Sequence, residues 1–82
     1  MMYKLIYSDR FFKQIKKLNK DIQVRIVSTL ERCRIRPHAH VKKLVGPYYG
    51  LRVGDYRVIL DIKENKLMIF VIEAGHRRNI YK

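Results

Sequence analysis

Residues 48–63 read Y-Y-G-L-R-V-G-D-Y-R-V-I-L-D-I-K and predict the hairpin on which the rest of the fold is built. Gly54-Asp55 lies between two segments of alternating apolar residues, and glycine followed by a polar residue suits a two-residue type II′ loop. With that loop, Arg52 stands directly opposite Arg57. Opposed side chains share a face, so two guanidinium groups are expected side by side. Like charges placed so are unfavourable unless an anion or solvent separates them, which indicates an anion-binding site.

A second turn, with Glu64-Asn65 or the whole of residues 63–66 as its loop, adds a third strand over residues 67–72. In either case Ile62 is expected to pair with Leu67. One face of this meander is aliphatic and is predicted to lie on the core: Leu51, Val53, Val58, Leu60, Ile62, Leu67, Ile69 and Val71. The other face is mixed and is expected to be partly open: Arg52, Arg57, Ile59, Asp61, Met68, Phe70, Ile72 and Ala74. The arginine pair is therefore expected on the face turned away from the core.

The first half of the chain predicts a short strand over residues 2–7 and two helices over residues 9–18 and 21–35. Ser8 is a suitable N-cap for the first helix, and Pro37 disfavours helix at the residue before it. Residues 37–47 are expected to form a loop or an irregular edge. The predicted order is β-α-α-β-β-β in a single domain of residues 1–82. We expect an α+β fold, with a helical hairpin on one face of an antiparallel sheet.

The composition favours anionic partners, because 19 Lys and Arg residues against 7 Asp and Glu residues give a net charge of +12. The single Cys33 excludes an internal disulfide and is expected to be a buried, inert thiol. No segment approaches the roughly 20 apolar residues of a membrane span, and the first residues lack the apolar region of a signal peptide. A cytoplasmic protein is expected. A charge of this sign attracts nucleic acid, an acidic protein or an anionic membrane surface, and of these we expect no membrane partner.

Among candidate sites, four arginines stand out: Arg52, Arg57, Arg77 and Arg78. Their planar donor groups suit phosphate oxygens. His76 lies beside Arg77 and could exchange protons near neutral pH. His38 and His40 are expected to be surface loop residues, and neither the histidines nor the acidic residues have the spacing of a metal site.

The segments L-R-V-G-D-Y-R-V-I-L at residues 51–60 and G-H-R-R-N-I-Y at residues 75–81 resemble the RelE toxins of the RelE/ParE superfamily. The element order and the basicity are similar too, so the resemblance covers essentially the whole chain. It implies a toxin of a type II toxin–antitoxin system that cuts mRNA in the ribosomal A site, without a metal or other cofactor. The implied reaction is attack of a 2′-hydroxyl on the adjacent phosphate. The implied partners are the ribosome, mRNA and a RelB-like antitoxin that inhibits the toxin.

The resemblance also implies roles for individual residues. Arg57 corresponds to the arginine that orients the phosphate, Arg77 to the one that stabilises the transition state, and Tyr81 to a tyrosine that stacks on the substrate or exchanges a proton with it. Arg52 and His76 complete the expected catalytic set. The expected RNA-binding cations are Lys42, Lys43, Arg78 and Lys82.

At Gly50 this chain departs from the family pattern, because the best-known member has a second catalytic basic residue there. The general base is therefore open, and His76 or a lysine of the Lys42-Lys43 pair could take its place. Two other functions also stay open: a ParE-like gyrase inhibitor, and a non-catalytic basic module that binds RNA or the ribosome.

Overall fold

The computed structural model describes residues 2–76 and 78, which contain two α-helices and five β-strands. In chain order these are β1 (Lys4–Tyr7), α1 (Asp9–Ile15), α2 (Lys20–Cys33), β2 (Val41–Lys43), β3 (Tyr48–Val53), β4 (Tyr56–Lys63) and β5 (Met68–His76). The α+β class and the order of the predicted elements are confirmed. Both helices are shorter at their C-terminal ends than predicted. The Ser8 cap is confirmed, since its Oγ accepts a hydrogen bond of 3.0 Å from the Phe11 N–H.

The five strands form one sheet in the order β1-β5-β4-β3-β2. The predicted wholly antiparallel sheet is wrong in one respect, because β1 pairs with β5 in parallel. β1 lies at the edge of the sheet beside β5. After β1 the chain crosses the core face as the two helices, and it then enters strands β2 to β5. The interpretation of residues 37–47 as a loop is also wrong in part, since β2 pairs with β3 within that segment.

The core lies between the sheet and the two helices, as predicted. It contains Phe11, Ile15, Ile26, Leu30 and Cys33 from the helical side and Leu51, Val53, Val58, Leu60, Ile62, Ile69, Val71 and Ala74 from the sheet. Leu18 packs against this core but is only partly buried. The helical hairpin therefore covers one face of the sheet, and the opposite face carries the predicted arginine pair.

The loop between β4 and β5 covers residues 64–67, one residue further along the chain than the predicted 63–66. Ile62 pairs with Ile69 rather than Leu67, because Glu64–Lys66 form a short 3-10 turn that Leu67 ends with φ 52°. Leu67 is only half-buried, so its predicted place in the core is wrong. The register moves by two residues, which leaves Ile69 and Val71 on the core face as expected.

A β-bulge in β5 changes which side chains face the helices near its end. Leu60 pairs with Val71, whereas the adjacent Ile59 pairs with Glu73, so Ile72 is the extra residue. One extra residue inverts the face of every side chain beyond it. Ala74 is accordingly buried in the core, which corrects its predicted place on the arginine face.

Two side chains near α1 hold the bulge by satisfying its backbone. The Ser8 hydroxyl donates to the Ile72 carbonyl at 2.5 Å, and the Gln14 side-chain oxygen accepts from the Ala74 N–H at 2.7 Å. Backbone groups left out of the ladder need such partners when they are shielded from water. Within residues 2–76 and 78, neither helix is long and apolar enough to cross a membrane.

Candidate phosphate-binding site

Arg52 and Arg57 are directly opposed on β3 and β4, as the sequence predicts. The two-residue loop between these strands fixes this register, and Gly54 alone of its two residues has a positive φ, 60°. Arg52 is exposed and Arg57 is half-buried. The two side chains thus leave the sheet on the face away from the helices, where an anion can approach both.

A groove of about 370 Å³ opens beside this pair and is referred to below as the Arg57 groove. Its lining consists of Ala39, His40, Val41, Lys42, Leu44, Gly50, Arg52 and Arg57. Gly50 forms part of its floor, since a Cβ there would lie 3.5 Å from Arg57 Cδ and 3.3 Å from Leu44 Cδ1. The absence of a side chain at Gly50 therefore leaves the Arg57 side chain room to lie across the strand.

Lys42 stands directly opposite Gly50 in the β2–β3 pair. Opposed residues share a face, so the lysine projects from the neighbouring strand on the side where Gly50 has no side chain. Lys42 also lines the Arg57 groove with Arg52. The groove therefore has a third cation in place of the basic residue that the resemblance leads one to expect at Gly50.

The cations of the groove have no acidic partner in the part of the chain that the structure describes. Across residues 2–76 and 78, neither arginine of the pair nor Lys42 lies within 4.0 Å of a carboxylate oxygen. Ion pairing with these residues therefore does not offset the mutual repulsion of the cations, whereas a bound phosphate would do so.

Lys43 and His38 are engaged elsewhere. Lys43 Nζ donates to the Gly46 carbonyl at 2.6 Å and lies 4.6 Å from the centre of the Tyr49 ring. His38 Nε2 is 3.2 Å from Glu64 Oε1. The structure therefore brings Lys42, but not Lys43, into the groove.

His76 is not brought together with Arg57. It pairs with Tyr56, its ring lies 5.5 Å from the Tyr56 ring, and it lines a pocket with Gln14 and Lys17 on the helix side. The β5 bulge is the reason, because without it His76 would face the same side as Arg57.

The tail falls mostly outside the described residues. Arg77, Tyr81 and Lys82 lie beyond them, so their expected roles stay predictions. Arg78 is exposed, and its backbone N–H donates to His76 Nδ1 at 3.2 Å.

His40 is a groove residue that the sequence patterns did not single out. It follows the short 3-10 turn Pro37–Ala39 and immediately precedes β2. Its place beside the arginines depends on the pairing of β2 with β3, and that strand is only three residues long. The sequence P-H-A-H-V-K-K carries no alternation clear enough to predict the strand, so no signal marked His40.

Cys33 is buried, as predicted, and burial raises the pKa of its thiol to about 11 despite the opposing effect of Arg32. Among residues 2–76 and 78, no three side chains of His, Cys, Asp or Glu come together as metal ligands would.

Comparison with known proteins identifies the family. The family model described as the ParE toxin of the type II toxin–antitoxin system parDE matches residues 5–81. A RelE-like toxin protein of Escherichia coli is 28% identical over 81 residues, covering 94% of this chain and 85% of that protein. Toxin RelE3 of Methanocaldococcus jannaschii is 29% identical over 85 residues, covering 95% and 94%. The toxin in the E. coli RelBE toxin–antitoxin complex is 28% identical, with a TM-score of 0.74 over 90% of this chain and 95% of that one. The chain therefore belongs to the RelE/ParE family of toxins of type II toxin–antitoxin systems.

Proposed function

We propose that this toxin is a ribosome-dependent endoribonuclease that cuts mRNA in the ribosomal A site and so inhibits translation. The observation that carries the proposal is the opposed pair of Arg52 and Arg57, with Lys42 beside it in one open groove. Phosphoryl transfer needs a phosphate held in place and developing negative charge stabilised, and preorganised guanidinium groups supply both.

In the proposed reaction, a 2′-hydroxyl attacks the phosphate next to it. The bond from O2′ to phosphorus forms and the bond from phosphorus to O5′ breaks. The departing O5′ takes a proton from water, which gives a 2′,3′-cyclic phosphate and a new 5′-hydroxyl. Arg57 binds the non-bridging oxygens, and Lys42 adds the cation that Gly50 does not provide. Arg77 remains the expected second arginine, and Tyr81 the residue expected to stack on the substrate or to exchange a proton with it.

We assign the proton from the 2′-hydroxyl to His40, which lines the groove. An imidazole nitrogen can accept a proton and is the commonest general base in proteins. His76 is less suited to this role, because it lies on the other face of the sheet with Tyr56.

We further propose that the toxin is held inactive by an antitoxin with an amphipathic, acidic segment. The E. coli relative is solved as a complex of toxin and antitoxin. In this chain a groove of about 670 Å³ between α1 and α2 exposes Phe12, Val24 and Val27, with Lys16 and Lys20 at its rim. Exposed apolar side chains beside cations fit one face of an amphipathic helix with acidic flanks.

Primer extension on mRNA from a translating extract tests the function. The proposal predicts new 5′ ends at codon positions after the toxin is added. Stalled ribosomes without new ends would indicate a non-catalytic binding module. Double-strand DNA breaks with intact mRNA would indicate a gyrase inhibitor, the second candidate, which the match to the ParE family model favours.

A further inference from the structure

A second cluster of arginines lies on the opposite side of the β3–β4 loop from the Arg57 groove. It forms a polar pocket of about 370 Å³, referred to below as the arginine pocket. Its lining consists of Arg25, Ser28, Thr29, Arg32, Arg52, Val53 and Gly54. Arg52 lines both this pocket and the Arg57 groove, so the two sites share a wall.

Two of the three guanidinium groups converge on the β3–β4 loop. A Cβ at Gly54 would lie 3.4 Å from Arg25 Nη2, and Arg52 Nε donates to the Gly54 carbonyl at 3.4 Å. Both arginines are exposed and reach this point from different elements, α2 and β3. Their like charges meet at Gly54, which has no side chain to separate them.

The third guanidinium group is held by α2 itself. Arg32 Nη2 donates to Thr29 Oγ1 at 3.3 Å, and the Thr29 hydroxyl donates to the Arg25 carbonyl at 2.7 Å. Within residues 2–76 and 78, Arg25, Arg32 and Arg52 all lack a carboxylate oxygen within 4.0 Å. The pocket is thus a concave site with three planar cations and, in this part of the chain, no internal anion.

We propose that the arginine pocket binds a backbone phosphate of RNA, outside the site of cleavage. A phosphate accepts several charge-assisted hydrogen bonds at once and matches the fork geometry of arginine. An acidic protein segment fits less well, because protein interfaces rely on buried apolar anchors and the exposed apolar residues lie in the α1–α2 groove instead. Through Arg52, an RNA strand bound here continues towards the Arg57 groove. The proposal rests on RNA being the partner in the proposed function, but it does not require cleavage.

The test is binding of a fluorescent, 2′-O-methylated RNA oligonucleotide, which has no 2′-hydroxyl with which to attack its phosphates. Anisotropy titrations over a series of salt concentrations compare the intact toxin with Arg25→Gln/Arg32→Gln. The matched control is Lys13→Gln/Lys66→Gln, which also removes two charges from exposed positions outside the pocket. Thermal melting of each variant checks that the fold is retained.

We expect the arginine variant to weaken binding roughly ten- to a hundredfold more than the control, as loss of hydrogen bonds to a charged group does. The slope of log affinity against log salt should fall by about 0.7 for each phosphate of the single strand that the variant no longer neutralises. Arg25→Lys/Arg32→Lys keeps the charge without the fork and should recover binding only in part.

Equal losses of RNA affinity in the arginine variant and the control would overturn the proposal. Binding would then depend only on the overall positive charge of the protein. It is also overturned if the arginine variant binds RNA normally but no longer binds the antitoxin. An assay of mRNA cleavage on ribosomes separates this proposal from the proposed function. A toxin that binds RNA through the arginine pocket but cleaves no mRNA would contradict only the proposed nuclease activity.

Discussion

Lys42 lies directly opposite Gly50 across the β2–β3 pair, on the sheet face that carries Arg57. A cation is thereby provided from the neighbouring strand, while Gly50 itself leaves space for the Arg57 side chain. Lys42→Met should therefore slow cleavage at saturating toxin, and Lys42→Arg, which keeps the charge on the same strand, should retain part of the rate. Single-turnover rates on ribosomes measure both effects. Full activity of Lys42→Met would remove the lysine from the proposed mechanism.

The assignment of His40 as the base predicts a loss of cleavage rate when its imidazole is removed. His40→Gln keeps a polar side chain that cannot take up the proton, so it should lower the rate by about 10²–10⁴, as loss of a general base does. His76→Gln is the matched control and should cleave at the rate of the intact toxin. Single-turnover cleavage on ribosomes measures both rates. If instead only His76→Gln is slow, the sheet face assigned to the reaction is the wrong one.

The expected antitoxin site gives a prediction about binding. Val24→Asp introduces a charge into the exposed apolar groove between α1 and α2 and should weaken antitoxin binding tenfold or more, about 1.4 kcal/mol. Val45→Asp, at another exposed valine, serves as the control. Calorimetric titration at low and high salt measures both effects, and affinity should also fall with salt because Lys16 and Lys20 flank the groove. Equal affinity of Val24→Asp and the intact toxin would place the antitoxin elsewhere.

Leu60 tests the packing of the sheet on the helices. It is fully buried on the core face of β4, so Leu60→Ala should lower the free energy of unfolding by ~2–5 kcal/mol through reduced burial and a residual cavity. Val45→Ala should change it by less than about 0.5 kcal/mol, because that side chain is 77% exposed. Urea unfolding measures both. A decrease below about 0.5 kcal/mol for Leu60→Ala would mean that the two faces of the sheet are exchanged.

Burial of Cys33 predicts a loss of stability at alkaline pH. Its thiol has a pKa of about 11 in the folded protein, raised by burial from an ordinary value of 9.0. Between those values the unfolded chain has released the proton that the folded protein keeps, so the free energy of unfolding falls as pH rises through this window. This contribution is fully present below a pH of about 9. Cys33→Ala should show a shallower decline between those two pH values in urea unfolding, and identical slopes would indicate that the thiol ionises equally in both states.

The local patterns in the sequence were sufficient to predict the β3–β4 hairpin and the positions of its two arginines. The Gly54-Asp55 loop has the residues its turn type requires, and a two-residue loop allows a single register, so the opposition of Arg52 and Arg57 could be predicted. The core face followed from the period of two along β3 and β4.

Features that depend on residues distant in the chain could not be predicted. The β5 bulge is held by Ser8 and Gln14, whose positions follow from the packing of α1 against the sheet rather than from any pattern in residues 68–76. For that reason no pattern in these residues indicated that His76 faces the helix side, away from Arg57. The place of His40 likewise follows from a three-residue strand whose stability comes from its pairing with β3.

The most direct test of the central claim is single-turnover cleavage of mRNA on programmed ribosomes at saturating toxin. Removing one preorganised donor from developing negative charge costs ~2.7–4 kcal/mol, so Arg57→Ala should cut about a hundred- to a thousandfold more slowly than the intact toxin. Arg77→Ala should show a comparable decrease, Arg57→Lys a partial one, and Lys66→Ala none. If Arg57→Ala cuts at the rate of the intact toxin under saturation, the arginine pair only docks the toxin, and this face of the sheet is not where mRNA is cleaved.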